Sequence, residues 1–582
     1  MSFFDDASLV FLPSGQAGKD GKAYSMKPTD GSGDFTFSRG SNLTATRIDS
    51  NGLIEKGREN LLLQSNQFDT TWALSDTSVT SGQSGYDGSS DAWKLSSNSA
   101  GTNRRISQTK SQNSIVTFSV YAKAGTYSGR LYLRAAGDQN YRAYFDLSNG
   151  TTDGGTNLLT SKSTFVGNDW YRYEATWNLG TGSGFDIRFG DATIAGDYFY
   201  IQDAQLEIGL VATEYIESGA TTGLAGILED SPRFDYSGGA SCPSLLLEGS
   251  RTNQIRLSEY FEDTTNYDLR SADITTNYAT SPEGLVNATK AIPQNETTDF
   301  RIQTQNTFGV SGDNVLSVFA KYESGGFQYL VLATNSLFQT YAFDIRFGTK
   351  VGNAGGGTIA DADTTIEDYG NGWYRCSIKS NNTGHARGVI YLSDDGTNTT
   401  ATGDGSKGML IYGFQGEQSV SYPTSYIPNH SGGSVTRGAD VCSNSTGGVS
   451  QTEGTIFIDY KDSPNKDVLF ACSTSSGLIT NNIRLSYNQL YIRNSTGNLL
   501  VASVTLPDAG KIAIKYDTNG VKIFSNGSSI YTNSTRISFD GSVDFVRIGS
   551  RVNNAGIEEF NVDQFLIFTT ALPDNQCIAL TS

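Results

Sequence analysis

Histidine, methionine and cysteine are nearly missing from this 582-residue chain, which has two His, three Met and five Cys. His385 and His430 both sit in Gly/Asn/Ser-rich stretches and leave little for histidine metal centres or for acid–base chemistry near neutral pH. The cysteines, Cys242, Cys376, Cys442, Cys472 and Cys577, are far apart and form no CxxC pair, which argues against zinc and against a disulfide framework. They are expected as reduced, mostly buried thiols. No window approaches 18 consecutive apolar residues, so no membrane-crossing helix is expected. Lys and Arg (42) are outnumbered by Asp and Glu (60), and a net charge of −18 disfavours nucleic acid and anionic lipid as partners. Gly-x-Ser-x-Gly, HExxH and P-loop motifs do not occur. A carboxylate pair for glycoside hydrolysis stays open, because any two acids could meet at the required separation of about 5–9 Å.

What the chain does have is Gly (65), Tyr (30), Phe (30) and abundant Ser, Thr and Asn. That mixture favours short strands joined by polar turns over long helices. One long unit also occurs twice. Arg58-Glu59-Asn60 with Asn66-Gln67-Phe68 reads against Arg251-Thr252-Asn253 with Glu259-Tyr260-Phe261. Val120–Lys123 reads against Val318–Lys321, Trp170-Tyr171-Arg172 against Trp373-Tyr374-Arg375, and Thr213–Ile216 against Thr424–Ile427. The offset grows steadily, from 193 residues at Arg58/Arg251 to 211 at Tyr215/Tyr426, as one scaffold with longer loops in its second copy would give. Such a period means tandem domains, and tandem domains suggest multivalent binding before chemistry.

The expected architecture is all-β, with tandem antiparallel β-sandwich (jelly-roll) domains. Residues 1–55 form a lead-in, 56–218 repeat 1, 219–244 a Gly/Ser-rich linker, 245–447 repeat 2 and 448–582 a third, unrelated module. In the last, Asn519-Gly520 between Lys511–Tyr516 and Val521–Phe524 signals a hairpin, and Ser525-Asn526-Gly527 a second turn.

The segment Val562–Phe568, followed by Ala571-Leu572-Pro573-Asp574 and preceded by Arg547–Ser550, resembles the end of laminin-G/concanavalin A-like lectin jelly rolls. The first 440 residues resemble tailed-phage structural proteins with carbohydrate-binding-module-like jelly rolls. The resemblance rests on Phe37–Gly40, Thr44–Arg47 and Asn51–Ile54, on Ser231–Tyr236 with Leu245–Asn253, and on Pro423–Pro428 with Val435–Asp440. The paired Gln205-Leu206-Glu207 and Gln415-Gly416-Glu417 fit as well, although Gly416 departs from the leucine expected there and puts the packing of that strand in doubt. The N-terminus, Met1–Asp6, lacks the pattern of a secretion signal. A chain made in a cytoplasm with the composition of an exposed adhesive module suits a virion component.

The resemblance implies a fibre, spike or tail appendage on the virion surface. It would attach to other virion proteins through its N-terminus, bind host-surface glycan and assemble as a homo-oligomer, with a trimer expected. The alternatives are a purely structural capsid or tail decoration and a glycan-depolymerising tailspike. Trp170 and Trp373, at one position of both copies, are expected in the core. Trp72 and Trp93 are candidate sugar platforms in loop-rich context, with Tyr267 standing for Trp72 in repeat 2. Arg130, Tyr132 and Arg134 share one strand face by the period-two rule and form either a ligand surface or an ordinary solvated face. A structural Ca²⁺ is the metal to expect from the resemblance, with Asp203 its candidate ligand and Asn66–Asp69 opposite.

Overall fold

The computed structural model describes residues 3–14, 21–40, 43–137, 140–334, 339–382, 384, 386–446, 448–461, 468–474, 480–486, 489–551 and 560–582. His385 lies outside them. The chain is all-β apart from two short α-helices and two 3-10 turns among these residues, and every strand pair is antiparallel.

Repeats 1 and 2 have the same architecture, two facing six-stranded sheets. In repeat 1 one sheet runs 151–156, 140–146, 130–137, 182–189, 105–108, 73–75, and the other 160–167, 170–178, 115–124, 198–208, 92–97, 77–83. Repeat 2 reproduces both orders with strands from 267–393 and 272–418. Strand Asn140–Asp146 alternates between residues in the sandwich interior (Tyr141, Ala143, Phe145) and residues facing out, the pattern of a sheet with one wet face.

The repeated sequence motifs are polar clamps that fasten the closing segment of each copy to its sheet. Asn60 Nδ2 donates to the carbonyls of Ala204 and Ile216, and Asn253 Nδ2 to those of Phe414 and Ile427. Gln205 and Gln415 each accept from the Ile216 or Ile427 amide and donate to Glu207 or Glu417. Those glutamates in turn accept from Thr213 or Thr424. Buried backbone and carboxylate groups are thereby satisfied at equivalent places. Gly416 costs no packing: a Cβ there would lie 2.6 Å from the Phe308 ring, which fills the space that Leu206 fills in repeat 1.

The third sandwich corrects the expected domain plan. It is not confined to 448–582, and the lead-in and linker are not separate from it. Phe560–Phe568 pairs along one edge with both Leu9–Phe11 and Ser244–Leu247, and along the other with Gly454–Lys461. The opposite sheet runs 22–23, 35–38, 441–444, 545–548, 468–473, 482–486, 489–493, 498–503. The physical reason is apolar: Leu9, Phe11, Phe35, Phe37, Phe234 and Leu245 complete the core of the C-terminal sandwich. Leu9–Phe11 is therefore a sealed strand and no free tether. Thr46–Lys56, the rest of the lead-in, forms a hairpin whose Ile54 packs onto repeat 2 with Trp373 and Tyr426.

The predicted hairpins are present. Asp517 pairs with Gly520 around a Thr518–Asn519 loop, one residue earlier than the Asn-Gly pair suggests. Asn526 and Gly527, at φ 45° and 77°, make the tight turn between Ser525 and Ser528. Four cysteines are buried, Cys242 is exposed, and none is in a disulfide.

Between repeat 2 and the C-terminal sandwich, five charged side chains are shut away from water. Arg233 pairs with Glu248 at 2.5 Å and with Asp440, Arg437 pairs with Glu248 at 2.8 Å, and Arg39 pairs with Asp440 at 3.2 Å. Arg233, Glu248 and Arg437 are fully inaccessible. Ser425 adds two hydrogen bonds to Glu248, and the Glu248 amide donates to Asp440. Burial pushes the Glu248 carboxyl up, but the Arg437 and Arg233 guanidinium groups outweigh it and hold its pKa at about 2. A folded-state pKa below the unfolded value of 4.5 stabilises the fold fully above that value, and the contribution is lost as the pH falls through about 2. Glu248→Gln leaves two buried arginines short of an anion and is expected to cost about 3–5 kcal/mol. The measurement is the denaturant midpoint of the intact chain, with a smaller gap between variant and wild type at pH 2 than at pH 7.

Candidate functional site

The tryptophans expected as sugar platforms are core residues. Trp72 and Trp93 are 5% and 8% exposed. The turn after Ser65 folds Phe68 between them, with ring centroids 5.1 and 6.2 Å away. Their indole nitrogens donate to the Gln64 and Asn66 carbonyls. Tyr267, 5.4 Å from Phe261, does occupy the place of Trp72 in repeat 2 and is equally buried. Trp170 and Trp373 are buried too, each on the outer side of a sheet beneath a covering segment.

Arg130, Tyr132 and Arg134 lie where their spacing places them, on the outward face of strand Arg130–Gly137, while Leu131, Leu133 and Ala135 enter the core. Strand pairing brings further residues to this face that the local sequence does not reveal. Tyr132 stands opposite Tyr144 on one side and Arg188 on the other, and Arg188 stands opposite Arg105. In the next row Arg134 stands between Arg142 and Asp186.

The result is a tight array of planar cations on aromatic rings. The rings of Tyr132 and Tyr144 are 4.8 Å apart, and the Arg188 and Arg142 guanidiniums lie 4.8 and 5.9 Å from the centre of the Tyr132 ring. Asp186 Oδ2 is 2.8 Å from Arg134 Nε, 3.6 Å from Arg188 Nη1 and 3.8 Å from Arg105 Nε. Burial raises the Asp186 pKa against the pull of these arginines. Arg130 closes the edge of the array, 5.0 Å from the centre of the Tyr144 ring, but is already neutralised: Asp191 accepts from its Nε and Nη2, and Asp153 is 3.5 Å away. Among the described residues Arg142 has no carboxylate at salt-bridge distance; its Nε donates to Asn140.

Repeat 2 shows what the scaffold alone requires. Val331 pairs with Ala342 and Tyr391 as Tyr132 pairs with Tyr144 and Arg188. Ala333 and Val389 take the places of Arg134 and Asp186. Val331 and Ala342 are sealed by Ala354, from a loop tied down by Asn353 and by a hydrogen bond from Thr340 to the Ala354 carbonyl. The central rows of this face are thus charged in repeat 1 and apolar beneath Ala354 in repeat 2, while Arg301, opposite Tyr391 and Arg270, keeps the place of Arg105 and pairs with Asp268 at 2.8 Å.

Two clefts lie between the repeats. One, of about 640 Å³, is lined by Asn113, Asn178, Leu257, Asn266 and Ser431 among others. A second, of about 300 Å³, is lined by Lys56, Arg58, Glu207 and His430 among others. Their charged groups already serve the repeat contact: Lys56 bridges Glu259 and Glu283 at 2.7 and 2.8 Å, and His430 Nε2 is 3.6 Å from Glu259. Burial lowers the His430 pKa despite that glutamate.

Asp203 sits in the left-handed region, φ 51°, at a β-bulge that repeat 2 builds with Gly413, φ 60°. A Cβ at Gly413 would meet Phe319 and Tyr426 at 3.0 Å, which explains the exchange. Asn66 does come beside Asp203, as the calcium reading expects, but its Oδ1 accepts from the Asp203 amide while the Asp203 carboxylate accepts from Tyr86. Burial raises the Asp203 pKa to about 7, with Asp91 and Asp87 adding to it. Among the described residues no three His, Cys, Asp or Glu side chains are grouped to hold a metal. The Asp203 carboxylate is engaged here by the Tyr86 hydroxyl.

No protein family and no curated protein matches the chain. Solved structures do. The Ruminococcus gnavus IT-sialidase CBM40 bound to α2,3-sialyllactose is 19% identical over 23% of this chain and 84% of that one, at TM-score 0.21. The CBM22-1–CBM22-2 tandem of Paenibacillus barcinonensis Xyn10C is 11% identical over 65% and 98%, at TM-score 0.20. The LG1–3 region of the laminin α2 chain is 12% identical over 82% and 97%, at TM-score 0.15. At such scores the likeness adds nothing to the fold read from the strands.

Asp203 yields a pH prediction. Its folded pKa lies above the ordinary 3.8, so its stabilisation is full below that value and is lost as pH rises through about 7. Asp203→Asn is expected to be the more stable form at pH 8, and its Tm advantage should shrink towards pH 4. A Tm difference that stays flat across this range would refute the assignment.

Proposed function

We propose that this chain is a carbohydrate-binding surface protein whose sugar chain lies across the arginine–tyrosine face of repeat 1. The observation that carries the reading is the contrast between the copies: one scaffold, one register, and central rows that bear Tyr132, Arg134, Tyr144 and Asp186 in repeat 1 where repeat 2 has Val331, Ala333, Ala342 and Val389. Part-exposed arginines held over buried Tyr132 and Asp186 on a sheet suit recognition by hydrogen bonds, with little ordering cost on binding. The reading is of binding without catalysis.

The motif resemblance to tailed-phage proteins supports placing it on a virion, as a fibre, spike or tail appendage that holds the particle to host glycan. Homo-oligomerisation, with a trimer expected, would multiply weak sugar contacts. The C-terminal sandwich, with its lectin-like closing strand, is the candidate second contact. Calcium is not needed in this reading.

The test is saturable binding of the intact chain to host cells and to their extracted surface polysaccharide. The double variant Arg134→Ala/Arg142→Ala is expected to lose at least tenfold in affinity while remaining folded at the assay temperature, with a lower melting temperature because buried Asp186 loses its nearest counter-ion. Lys407→Ala, an exposed cation of repeat 2, is expected to bind as wild type does. Equal binding by all three would remove the site from this face.

A further inference from the structure

Resting on that reading of the face, we infer that the polysaccharide bound there is acidic, and that its carboxylates are what the arginines of repeat 1 recognise. Among the described residues four guanidiniums, of Arg105, Arg134, Arg142 and Arg188, gather about Tyr132 and the single carboxylate of Asp186. The surplus is positive on a chain whose net charge is −18. Burial and the neighbouring Arg134 push the Arg188 pKa down, the mark of cations crowded together. A bound anion relieves that crowding and a neutral sugar does not.

The choice of side chain points the same way. Every cation of the array is arginine, whose planar fork matches a carboxylate through two parallel hydrogen bonds and stacks on aromatic rings, as lysine does not. Asp186 shows the fit from within, since three arginines already reach for one of its oxygens. A neutral-sugar platform needs a bare ring. Here Tyr132 is only 7% exposed and lies beneath Arg188 and Arg142.

Extent argues for a polymer over a lone acid. Arg105 and Arg142 stand on strands three places apart in the sheet, hence about 14 Å from each other at the usual strand spacing.

The probes are polygalacturonate, alginate and polysialate, with carboxyl-reduced polygalacturonate, dextran, dextran sulfate and single-stranded DNA as comparisons. Each is titrated against the intact chain by calorimetry at low and physiological salt. At least one uronate or sialate polymer is expected to bind, to weaken as salt rises, and to bind at least tenfold more weakly after carboxyl reduction. Arg142→Gln is expected to lose about tenfold. Arg134→Lys, which keeps the charge and loses the fork, is expected to lose severalfold with an unchanged melting temperature. If a neutral polymer binds as well as an acidic one, and the Arg134→Ala/Arg142→Ala variant loses it, the acidic ligand is wrong while the glycan-binding face stands. If dextran sulfate or DNA binds as tightly as the uronates, carboxylate recognition is overturned. If no polymer binds, both readings fall.

Discussion

A buried guanidinium that must find its carboxylate is the constraint on which the arrangement of this chain depends. Arg233 and Arg437 have no access to water, and Glu248 and Asp440 are their counter-ions. The four residues come from the junction before repeat 2 and the segment after it, and Arg39 adds a fifth from the N-terminal strands. Such a cluster contributes little net energy beyond what apolar residues would supply, but it penalises any arrangement that leaves one member unpaired. It therefore specifies how repeat 2 joins the C-terminal sandwich, while the apolar cores supply the stabilisation. The Asn, Gln and Glu clamps inside each repeat act likewise at smaller scale, holding a closing strand in one register.

Within that frame the two copies have diverged on their outer surfaces. Repeat 2 is enclosed: the Thr46–Lys56 hairpin covers one outer face, and its own loop around Ala354 seals part of the other. Repeat 1 covers the first face with the segment bearing Tyr86, whose ring stacks on Tyr121 at 3.8 Å, and leaves the second uncapped. Duplication here has produced one copy devoted to cohesion and one with a face available for contact.

Features that depend on neighbours along the chain are legible in the amino-acid sequence. The repeat, the strand character, the burial of Trp170 and Trp373, the turns near Asn519 and Asn526 and the shared face of Arg130, Tyr132 and Arg134 all follow from short-range patterns. What escapes such a reading depends on pairing at a distance. Arg105, Arg142, Tyr144, Asp186 and Arg188 join the face only through cross-strand register, and nothing local distinguishes them from solvated side chains. Trp72 and Trp93 look available because their surroundings are loop-like, yet Phe68 folds inward between them. The lead-in and linker look like connectors because their strands are short and Gly-rich, and their true partners lie hundreds of residues away.

That separation has a consequence for synthesis. Ser8 donates to the carbonyl of Ile567 across 559 residues, and the strand that begins at Leu9 pairs beside it. As the polypeptide leaves the ribosome, both repeats can close on their own strands while Leu9–Phe11 waits, apolar and unpaired, for Phe560–Phe568 to emerge. A product that stops before Phe560 leaves Leu9–Phe11 and Ser244–Leu247 without the strand they share, so the third sandwich cannot close, and its apolar edges stay open, until residues 560–568 are made.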